Sequence, residues 1–386
     1  MVGAWWVDEG QLNDEQKRII ALPLDGSHLI FGPPGSGKTN LVLLRANYLT
    51  LAGHPNILIV VFTRTLQEFI TTGAQQYNFS MSKLTTSTRW AFDFLTEYGV
   101  RVSPPDTFEA QRTYLAQAVT ALLEKRKLED GYDAVLLDEA QDYLPEEIAV
   151  FRRLGKRLFA VADSHQKIYG GLSPLDTLRS VIPNHHTLKY HYRNGVAICR
   201  VADSIAADSS TYVPMTPTSN YDEKAKPSRV DVFRCRDRQH QASTIIEQLD
   251  LQLKAYPDEL LGVVCPTNDA LDDLWAHIAA SPLASRAVLQ RFGDYAPFGP
   301  SHQIAVSTIH SAKGLEFRCL HLADAELIRT FPQQRRNIAY TAVTRAKTSL
   351  SLYHCGEMPG FLQSALGVID PVTKLPSLPE VFGRNQ

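Results

Sequence analysis

The sequence predicts an α/β fold with two domains, each a mainly parallel β-sheet flanked by helices. Short, nearly continuous apolar runs alternate with stretches of helical periodicity, which is typical of parallel strands covered on both faces. Glycine-rich and acidic segments follow several of these runs, at the end of the strand where parallel sheets bind ligands. Because a chain of 386 residues can bury two cores, we expect domains at 1–188 and 189–386.

Four apolar runs predict the strands of the first domain, and they lie at 27–31, 57–62, 133–137 and 158–162. Helical periodicity predicts helices at 66–78 and 107–129. The pair Pro104 and Pro105 interrupts the chain before the second of these helices. We therefore expect helical structure at about 92–130, ahead of the third strand.

Five further runs predict the strands of the second domain, and they lie at 229–233, 261–265, 304–308, 319–322 and 349–353. Helices fit the periodicity at 239–254, 268–279 and 334–346. Residues 281–302 contain several glycines and prolines without a clear period, which predicts a loop. A loop of this length cannot hold an additional domain.

The composition of the chain limits which partners it can bind and indicates the cellular compartment. With 39 basic and 41 acidic residues the chain has no basic excess, so contact with nucleic acid would need a local groove. The five cysteines form no CxxC pair, which argues against a zinc, iron–sulfur or redox site and fits the reducing cytoplasm. The apolar segment 1–7 is too short for a signal peptide or a membrane span, so no membrane association is expected.

A phosphate-binding loop is the strongest motif. It fits the pattern GxxxxGK[ST] and consists of Gly32, Pro33, Pro34, Gly35, Ser36, Gly37, Lys38 and Thr39. A strand is predicted before it and a helix after it, so backbone N–H groups and the helix N-terminus would form one concavity for phosphate. Lys38 would reach the β- and γ-phosphates, and Thr39 would hold Mg²⁺. These flanks disfavour a chance glycine turn and predict a nucleoside triphosphate as ligand.

An acidic pair follows the run at 133–137. Asp138 can hold Mg²⁺, directly or through water, and Glu139 can accept the proton of an attacking water. Alone, such a pair could be a solvated turn. About a hundred residues after a phosphate loop, it predicts the second half of a nucleotide site.

Taken together, the motifs resemble those of the UvrD/Rep-like superfamily 1A helicases, in a compact form without the large accessory insertions. The matching segments follow one another in the family's order and lie at 12–16, 32–39, 138–142, 163–169, 192–193, 308–317 and 340–346. The last two are the most specific. The resemblance implies two RecA-like P-loop NTPase domains with ATP and Mg²⁺ between them.

For ATP, the resemblance implies roles at matching positions. Gln16 would read the adenine edge, although it could also be a solvated helix glutamine, and Tyr192 would stack on adenine, although an isolated Tyr is more often core. Asn40 takes the place of an arginine that often helps to sandwich adenine. Gln166 would sense the γ-phosphate, and Arg193 and Arg345 would act as arginine fingers. Gly314 and Glu316 would lie near the γ-phosphate and the ribose.

For nucleic acid, the resemblance implies contacts from Thr63, Arg64, Trp90, Tyr169, Thr308 and His310. Three positions depart from the family pattern. Arg64 replaces a small polar residue, the Thr86–Trp90 region lacks the family's histidine, and Gly171 replaces a second aromatic residue. These departures weaken the prediction of base stacking more than that of ATP hydrolysis.

The function implied by the resemblance is an ATP-dependent translocase or helicase on single-stranded nucleic acid, with 3′→5′ polarity. DNA is the expected partner, and RNA stays open. The alternative is an ATPase switch or partner-remodelling module that does not unwind, which the missing insertions and Gly171 favour. Trp5 and Trp6, or the proline-rich tail, could dock a nuclease or another subunit, although capping of the core is the simpler role.

Overall fold

The computed structural model describes residues 9–73, 76–163, 174–207, 212–291, 294–331 and 334–369. Two β-sheets with helices on their faces account for most of these residues. In the described ranges, no helix combines the length and the apolar character needed to cross a membrane.

The first sheet contains six parallel strands in the order β3-β2-β4-β5-β1-β6. They are β1 (His28–Phe31), β2 (Ile57–Val61), β3 (Leu84–Thr86), β4 (Ala134–Leu137), β5 (Leu158–Ala162) and β6 (Asn184–Thr187). Because all six strands are parallel, their carboxyl ends meet at one edge. The phosphate loop, the acidic pair and Thr63 all lie at this edge.

Among the described residues, seven α-helices accompany this sheet. They are α1 (Asp14–Ile20), α2 (Lys38–Leu51), α3 (Arg64–Thr71), α4 (Ser87–Glu97), α5 (Phe108–Arg126), α6 (Pro145–Leu154) and α7 (Pro174–Val181). The inner strands β2, β4 and β5 are apolar throughout because helices cover both faces of the sheet, whereas the edge strand β6 is polar and mostly exposed. On β2, Ile59 faces one hydrophobic cluster, whereas its neighbours Leu58 and Val60 face the other.

Helices α4 and α5 form the expected helical insertion between β3 and β4. They pack against each other, and α5 also packs on α6. The helical segment begins at Ser87, where the Thr86 hydroxyl accepts a hydrogen bond from the Arg89 amide as an N-cap. This insertion stays close to the first sheet and forms one wall of a groove described below.

The second sheet contains seven strands in the order β10-β9-β11-β8-β12-β13-β7, and all pairs are parallel except β9 with β10. Its strands are β7 (Arg229–Arg234), β8 (Leu261–Cys265), β9 (Ala287–Arg291), β10 (Asp294–Tyr295), β11 (Ile304–Thr308), β12 (Phe317–Leu322) and β13 (Ala346–His354). Its helices are α8 (Val196–Ala206), α9 (Arg238–Ala255), α10 (Asn268–Ala279), α11 (Arg335–Val343) and α12 (Gly360–Leu366). These two parallel α/β units confirm the predicted pair of RecA-like domains.

The segment 281–302 is not only a loop, and that prediction is corrected. Residues of β9 pair in parallel with β11, with Ala287 opposite Ile304, and β10 turns back antiparallel to β9. The apolar part of β9 is short, and the following Gly293 and Pro297 hide its pattern in the sequence. The strand pair carries Tyr295 to the edge of the second sheet.

Candidate ATP site and nucleic-acid groove

The phosphate loop joins the end of β1 to the start of α2. Gly35 and Gly37 adopt left-handed backbone angles, with φ of 79° and 83°. A Cβ atom added at Gly35 would lie 2.6 Å from the Cβ of Arg193, and one added at Gly32 would lie 2.6 Å from the Ser36 hydroxyl oxygen. Glycine is therefore required both by the turn and by the close approach of its neighbours.

Lys38 lies inside this loop. Its Nζ donates hydrogen bonds to the carbonyl oxygens of Gly32, at 2.7 Å, and Pro33, at 2.9 Å, and lies 3.9 Å from the Asp163 carboxylate. Burial lowers the pKa of the Lys38 ammonium, and the carboxylates of Asp163 and Glu139 oppose that shift. A buried cation surrounded by backbone groups matches the needs of a polyphosphate ligand.

Thr39 and Asp138 form the candidate magnesium site. The Thr39 hydroxyl donates to Asp138 Oδ2 at 2.9 Å, while the buried Asp138 Oδ1 has no hydrogen-bond partner among the described residues. Burial, followed by the adjacent Glu139 carboxylate, raises the pKa of Asp138. A hydroxyl and a carboxylate with a free oxygen form the hard donor set that Mg²⁺ prefers, so these residues fit the ion.

Glu139 is held in a strained but ionised state. Its φ of 48° is left-handed, which is unusual for a residue other than glycine. The Gln141 side-chain amide donates to Glu139 Oε2 at 2.6 Å. Burial would raise the pKa of Glu139, but the cations of Lys313, Arg345 and Lys38 outweigh it and lower the pKa below its usual range. The side chain is therefore a carboxylate able to accept a proton.

Two arginines approach the loop from the chain beyond the first sheet. Arg193 forms an ion pair with Glu316 and donates from Nη1 to the Thr344 carbonyl oxygen at 3.4 Å. Arg345 is buried, and Glu139 and Glu316 are among the charges that act on it. Burial would raise the pKa of Glu316, but Arg193 and then Lys347 lower it to about 2. The two predicted fingers thus share one buried charge cluster with the predicted base.

The predicted adenine residues lie beside the loop. The Gln16 amide nitrogen donates to the Ser36 carbonyl oxygen at 3.0 Å, and Gln16 Oε1 accepts from the Asn13 amide at 3.1 Å. Gln16 is buried, which excludes a merely solvated glutamine. Tyr192 is 36% exposed and accepts a hydrogen bond from the Asn13 side chain, so its ring is not core. Asn40 is buried on α2, at the opening of the helix.

Gly314 contacts a different element. Its φ is 89°, and an added Cβ would lie 2.6 Å from Leu66 Cδ2 on α3. In the structure Gly314 therefore packs against a helix of the first sheet, and its place near the γ-phosphate stays a prediction. Gln166 and Tyr169 lie outside the described residues.

Sequence reasoning missed the charged pair formed by Asp142 and Lys313. Both side chains are buried, and the Lys313 ammonium bonds to Asp142 Oδ2. Burial raises the pKa of Asp142 to about 6, and the Lys313 cation opposes the shift. Both residues belong to recognised motifs, but 171 positions separate them in sequence, so nothing in the sequence indicates the pairing.

A groove of about 900 Å³ crosses the carboxyl ends of both sheets. Thr63 and Arg64 line it from the first sheet, and Thr308 and His310 line it from the second. Burial, then the nearby Lys313 cation, lowers the pKa of His310, which favours a neutral imidazole. Four of the predicted nucleic-acid residues are thus brought together in one groove.

Trp90 does not belong to this groove, and its predicted role in nucleic-acid contact is wrong. Its ring is 7% exposed and stacks on Phe94 at 5.0 Å, and its Nε1 donates to the Tyr132 hydroxyl at 3.1 Å. Helical periodicity turns Trp90 into the core of the insertion and turns its neighbours Arg89 and Phe92 outward to the groove.

Aromatic side chains that sequence reasoning missed also line the groove. They are Phe62, Phe92, Phe108, Tyr295 and Phe331. Phe92 is 42% exposed, which is unusual for a large apolar side chain. The sequence could have indicated Phe92, because it lies at an outward position of α4 beside arginine and threonine residues. Exposed rings beside polar and cationic groups can stack on bases.

Two family models match parts of the chain. The model of an AAA domain matches residues 16–172, and that of a UvrD-like helicase C-terminal domain matches residues 303–353. No curated protein sequence is significantly similar to the chain.

Two solved structures illustrate the structural similarity. The helicase nonstructural protein 10 of an arterivirus is 17% identical with a TM-score of 0.39, and the match covers 91% of this chain and 63% of that one. The C-terminal domain of a possible DNA helicase from Lactobacillus plantarum is 19% identical with a TM-score of 0.31, and that match covers 44% of this chain and 91% of the other. The chain thus spans less than two thirds of the length of the arterivirus protein.

The two RecA-like units and the phosphate loop of the first unit define a P-loop NTPase. The order of its motifs and the two family matches make the assignment narrower. The two matches support a UvrD-like superfamily 1 helicase, which is the family suggested by the motifs of the chain. They also support an ATPase or helicase as the class of enzyme.

Proposed function

We propose that the chain is an ATP-driven translocase on single-stranded nucleic acid, with Mg-ATP hydrolysed between its two RecA-like domains and 3′→5′ polarity on DNA. One observation carries the proposal. The charge cluster around the phosphate loop and the groove are both built from the two sheets together, so one closing movement would act on both. The match to a UvrD-like helicase C-terminal domain supports the same proposal.

On the nucleotide side, each role follows from the contacts above. Lys38 and the loop amides would bind the phosphates, and Thr39 and Asp138 would hold Mg²⁺, whose charge neutralises phosphate oxygens when it is bound. Glu139 would take a proton from the attacking water. Arg193 and Arg345 would stabilise negative charge on the transferring group. Gln16, Asn40 and Tyr192 would contact adenine. Gly314 and Glu316 would lie near the γ-phosphate and the ribose, and Gln166 would sense the γ-phosphate.

On the nucleic-acid side, hydroxyl and guanidinium groups would hold the backbone, and rings would stack on bases. Thr63, Arg64, Thr308 and His310 supply the polar contacts in our proposal. Single-stranded DNA is the proposed substrate, and RNA is the alternative.

Both domain boundaries and cellular location are also proposals. We place the boundary near 188, just after β6, and the free cysteines favour the cytoplasm.

A second candidate is an ATPase switch that remodels a protein partner, such as a nuclease subunit, without unwinding. The observation in its favour is the small size of the insertions. Helices α4 and α5 are the insertion in the first unit, and a short strand pair replaces the second. Stimulation of ATP hydrolysis by oligo-dT or oligo-U separates the candidates, because only the translocase requires it.

Replacing the phosphate-loop lysine and the base tests the nucleotide chemistry. Lys38→Ala should lose both ATP binding and turnover, because it removes the cation inside the loop. Glu139→Gln should keep ATP binding but lose turnover by at least about 100-fold, since an amide accepts protons poorly. Steady-state ATPase assays and fluorescent-nucleotide binding measure both. Undiminished turnover in Glu139→Gln protein would exclude Glu139 as the base.

A further inference from the structure

An ion pair buried between the two sheets has no role above beyond the effect of the Lys313 charge on the pKa of Glu139. Asp142 lies in the turn after β4, and Lys313 lies in the turn after β11, and each side chain is 1% exposed. A buried ion pair is favourable only when its geometry satisfies both charges, and removing one partner leaves the other charge uncompensated. The pair therefore stabilises the contact between the two sheets only when the sheets are close enough for Asp142 and Lys313 to meet.

On one side the pair reaches the predicted base through a single amide. Gln141 Nε2 donates to Glu139 Oε2 at 2.6 Å and to Asp142 Oδ2 at 3.2 Å. The Gln141 Oε1 accepts from the Asp163 backbone amide at 2.9 Å, which fixes the orientation of the side-chain amide. Arg112 holds the backbone of Asp142 by donating to its carbonyl oxygen at 2.8 Å. Movement of the Asp142 carboxylate would therefore move the amide that orients Glu139.

On the other side the pair reaches the groove. The Lys313 carbonyl oxygen accepts a hydrogen bond from the Thr63 hydroxyl at 2.9 Å, and the Lys313 ammonium lies 5.3 Å from the centre of the Phe62 ring. Both Thr63 and Phe62 line the groove. The Lys313 amide also donates to the carbonyl oxygen of His310, another groove residue, at 3.3 Å. A strand bound in the groove would contact residues that touch Lys313 directly.

We propose that Lys313 is a positioning residue that couples occupancy of the groove to the placement of Glu139, through Asp142 and Gln141. The inference rests on the proposed function, because it requires a nucleic-acid strand in the groove. Lys313 touches neither ATP nor the reacting water in this scheme. Its effect is a coupling free energy between two sites, so it must be reciprocal.

The test compares wild type with Lys313→Gln, Asp142→Asn and the double variant. Wild-type ATPase should rise on addition of oligo-dT, and a non-hydrolysable ATP analogue should change the affinity for labelled oligo-dT. In Lys313→Gln protein, oligo-dT should stimulate ATP hydrolysis by less than about two-fold. The ATP analogue should likewise change the affinity for oligo-dT by less than about two-fold. The double variant should be no more impaired than either single variant, since the residues act as one unit.

A matched control is Arg318→Gln, which breaks a largely buried ion pair with Glu259 away from the groove. It should lower the melting temperature but retain both stimulation and the nucleotide-dependent affinity. If wild type is stimulated and Lys313→Gln is stimulated equally, the coupling inference is overturned while the proposed function stands. If wild type itself shows no stimulation, both are overturned.

Discussion

At the scale of single residues, two glycines show how closely the two units meet. Gly35 approaches Arg193, and Gly314 approaches Leu66, each with 2.6 Å to the position of an added Cβ. Both have left-handed backbone angles, so each is fixed by conformation as well as by space. Residues of the candidate ATP site are thus packed directly against the other unit.

Gly35→Ala should impair ATP use more than backbone strain alone explains. Alanine at a left-handed position costs about 1–2 kcal/mol, and here the methyl group would also push Arg193 away. We expect kcat/KM for ATP to fall by at least about 10-fold, as measured by steady-state kinetics.

Gly53→Ala is the matched control for this change. Gly53 has a φ of 88°, but an added Cβ would meet nothing within 4 Å. It should lower the melting temperature to a similar extent and leave kcat/KM unchanged. Equal kinetic effects from both substitutions would contradict the role of the close approach.

Candidate site residues could be predicted from the sequence where they are consecutive in the chain. The phosphate loop and Asp138–Glu139 are local patterns whose chemistry follows from neighbouring residue types. They could not be predicted where the side chains that meet are distant in the chain. The pair Asp142 and Lys313 exists only because the sheets meet, and no local pattern encodes that.

At the scale of elements, helix α4 has two aromatic residues on opposite faces. Trp90 contributes to the core under the insertion, and Phe92 is exposed to the groove. Their spacing of two residues turns them roughly 200° apart on a helix. Sequence composition identified an aromatic segment correctly, but only the packing of α4 against α5 shows which ring is available.

These two residues should respond oppositely to substitution. Phe92→Ala should weaken oligo-dT binding by about 10-fold, as expected for loss of one stacking platform, with a nearly unchanged melting temperature. Trp90→Phe should destabilise the fold by about 1–2 kcal/mol, because it removes core volume and the hydrogen bond to Tyr132, and should leave binding unchanged. Fluorescence anisotropy and urea denaturation measure the two effects. Weaker binding by Trp90→Phe alone would restore the original assignment.

Strand β9 shows a second limit at this scale. A strand of few apolar residues followed by glycine and proline has no reliable period, and only its register with β11 makes it a strand. Long helices such as α9 and α10, by contrast, match their predicted ranges within one residue because their periodicity extends over several turns.

At the scale of the whole molecule, buried histidines make stability depend on pH. His321 is buried, with Nε2 bonded to Gln252 and Nδ1 bonded to Tyr353, each at 2.8 Å. Burial lowers the pKa of His321 to about 3. Below about pH 6.5 the unfolded chain therefore binds a proton that the folded chain does not, and stability falls as pH falls.

The free energy of unfolding should decrease by up to about 1.4 kcal/mol per pH unit from this residue between pH 6 and 4. His321→Gln should be less stable at pH 7.5 but show a shallower decrease. Urea denaturation at several pH values measures both slopes. His54→Gln, at a partly exposed site, is the control and should keep the wild-type slope. Equal slopes for wild type and His321→Gln would contradict the prediction.

Binding to nucleic acid should depend only weakly on salt. The net charge is −2, and among the described residues that line the groove, the cations are Arg64 and Arg89. With about two phosphates neutralised, log Kd should change with log salt concentration by a slope of about 1–2 in magnitude. Arg64→Gln should reduce that slope by about 0.7, measured by anisotropy across a salt series. A slope near six would point to a larger contact surface.

The position of β1 in its sheet also determines when the protein can fold. His28 pairs with Phe159 on β5 and with Asn184 on β6, so both partners of this strand are synthesised more than about a hundred residues later. Pairings this distant in the chain form slowly. During synthesis, β1 therefore stays unpaired until residues near 187 have left the ribosome. Until then this apolar strand is prone to aggregation.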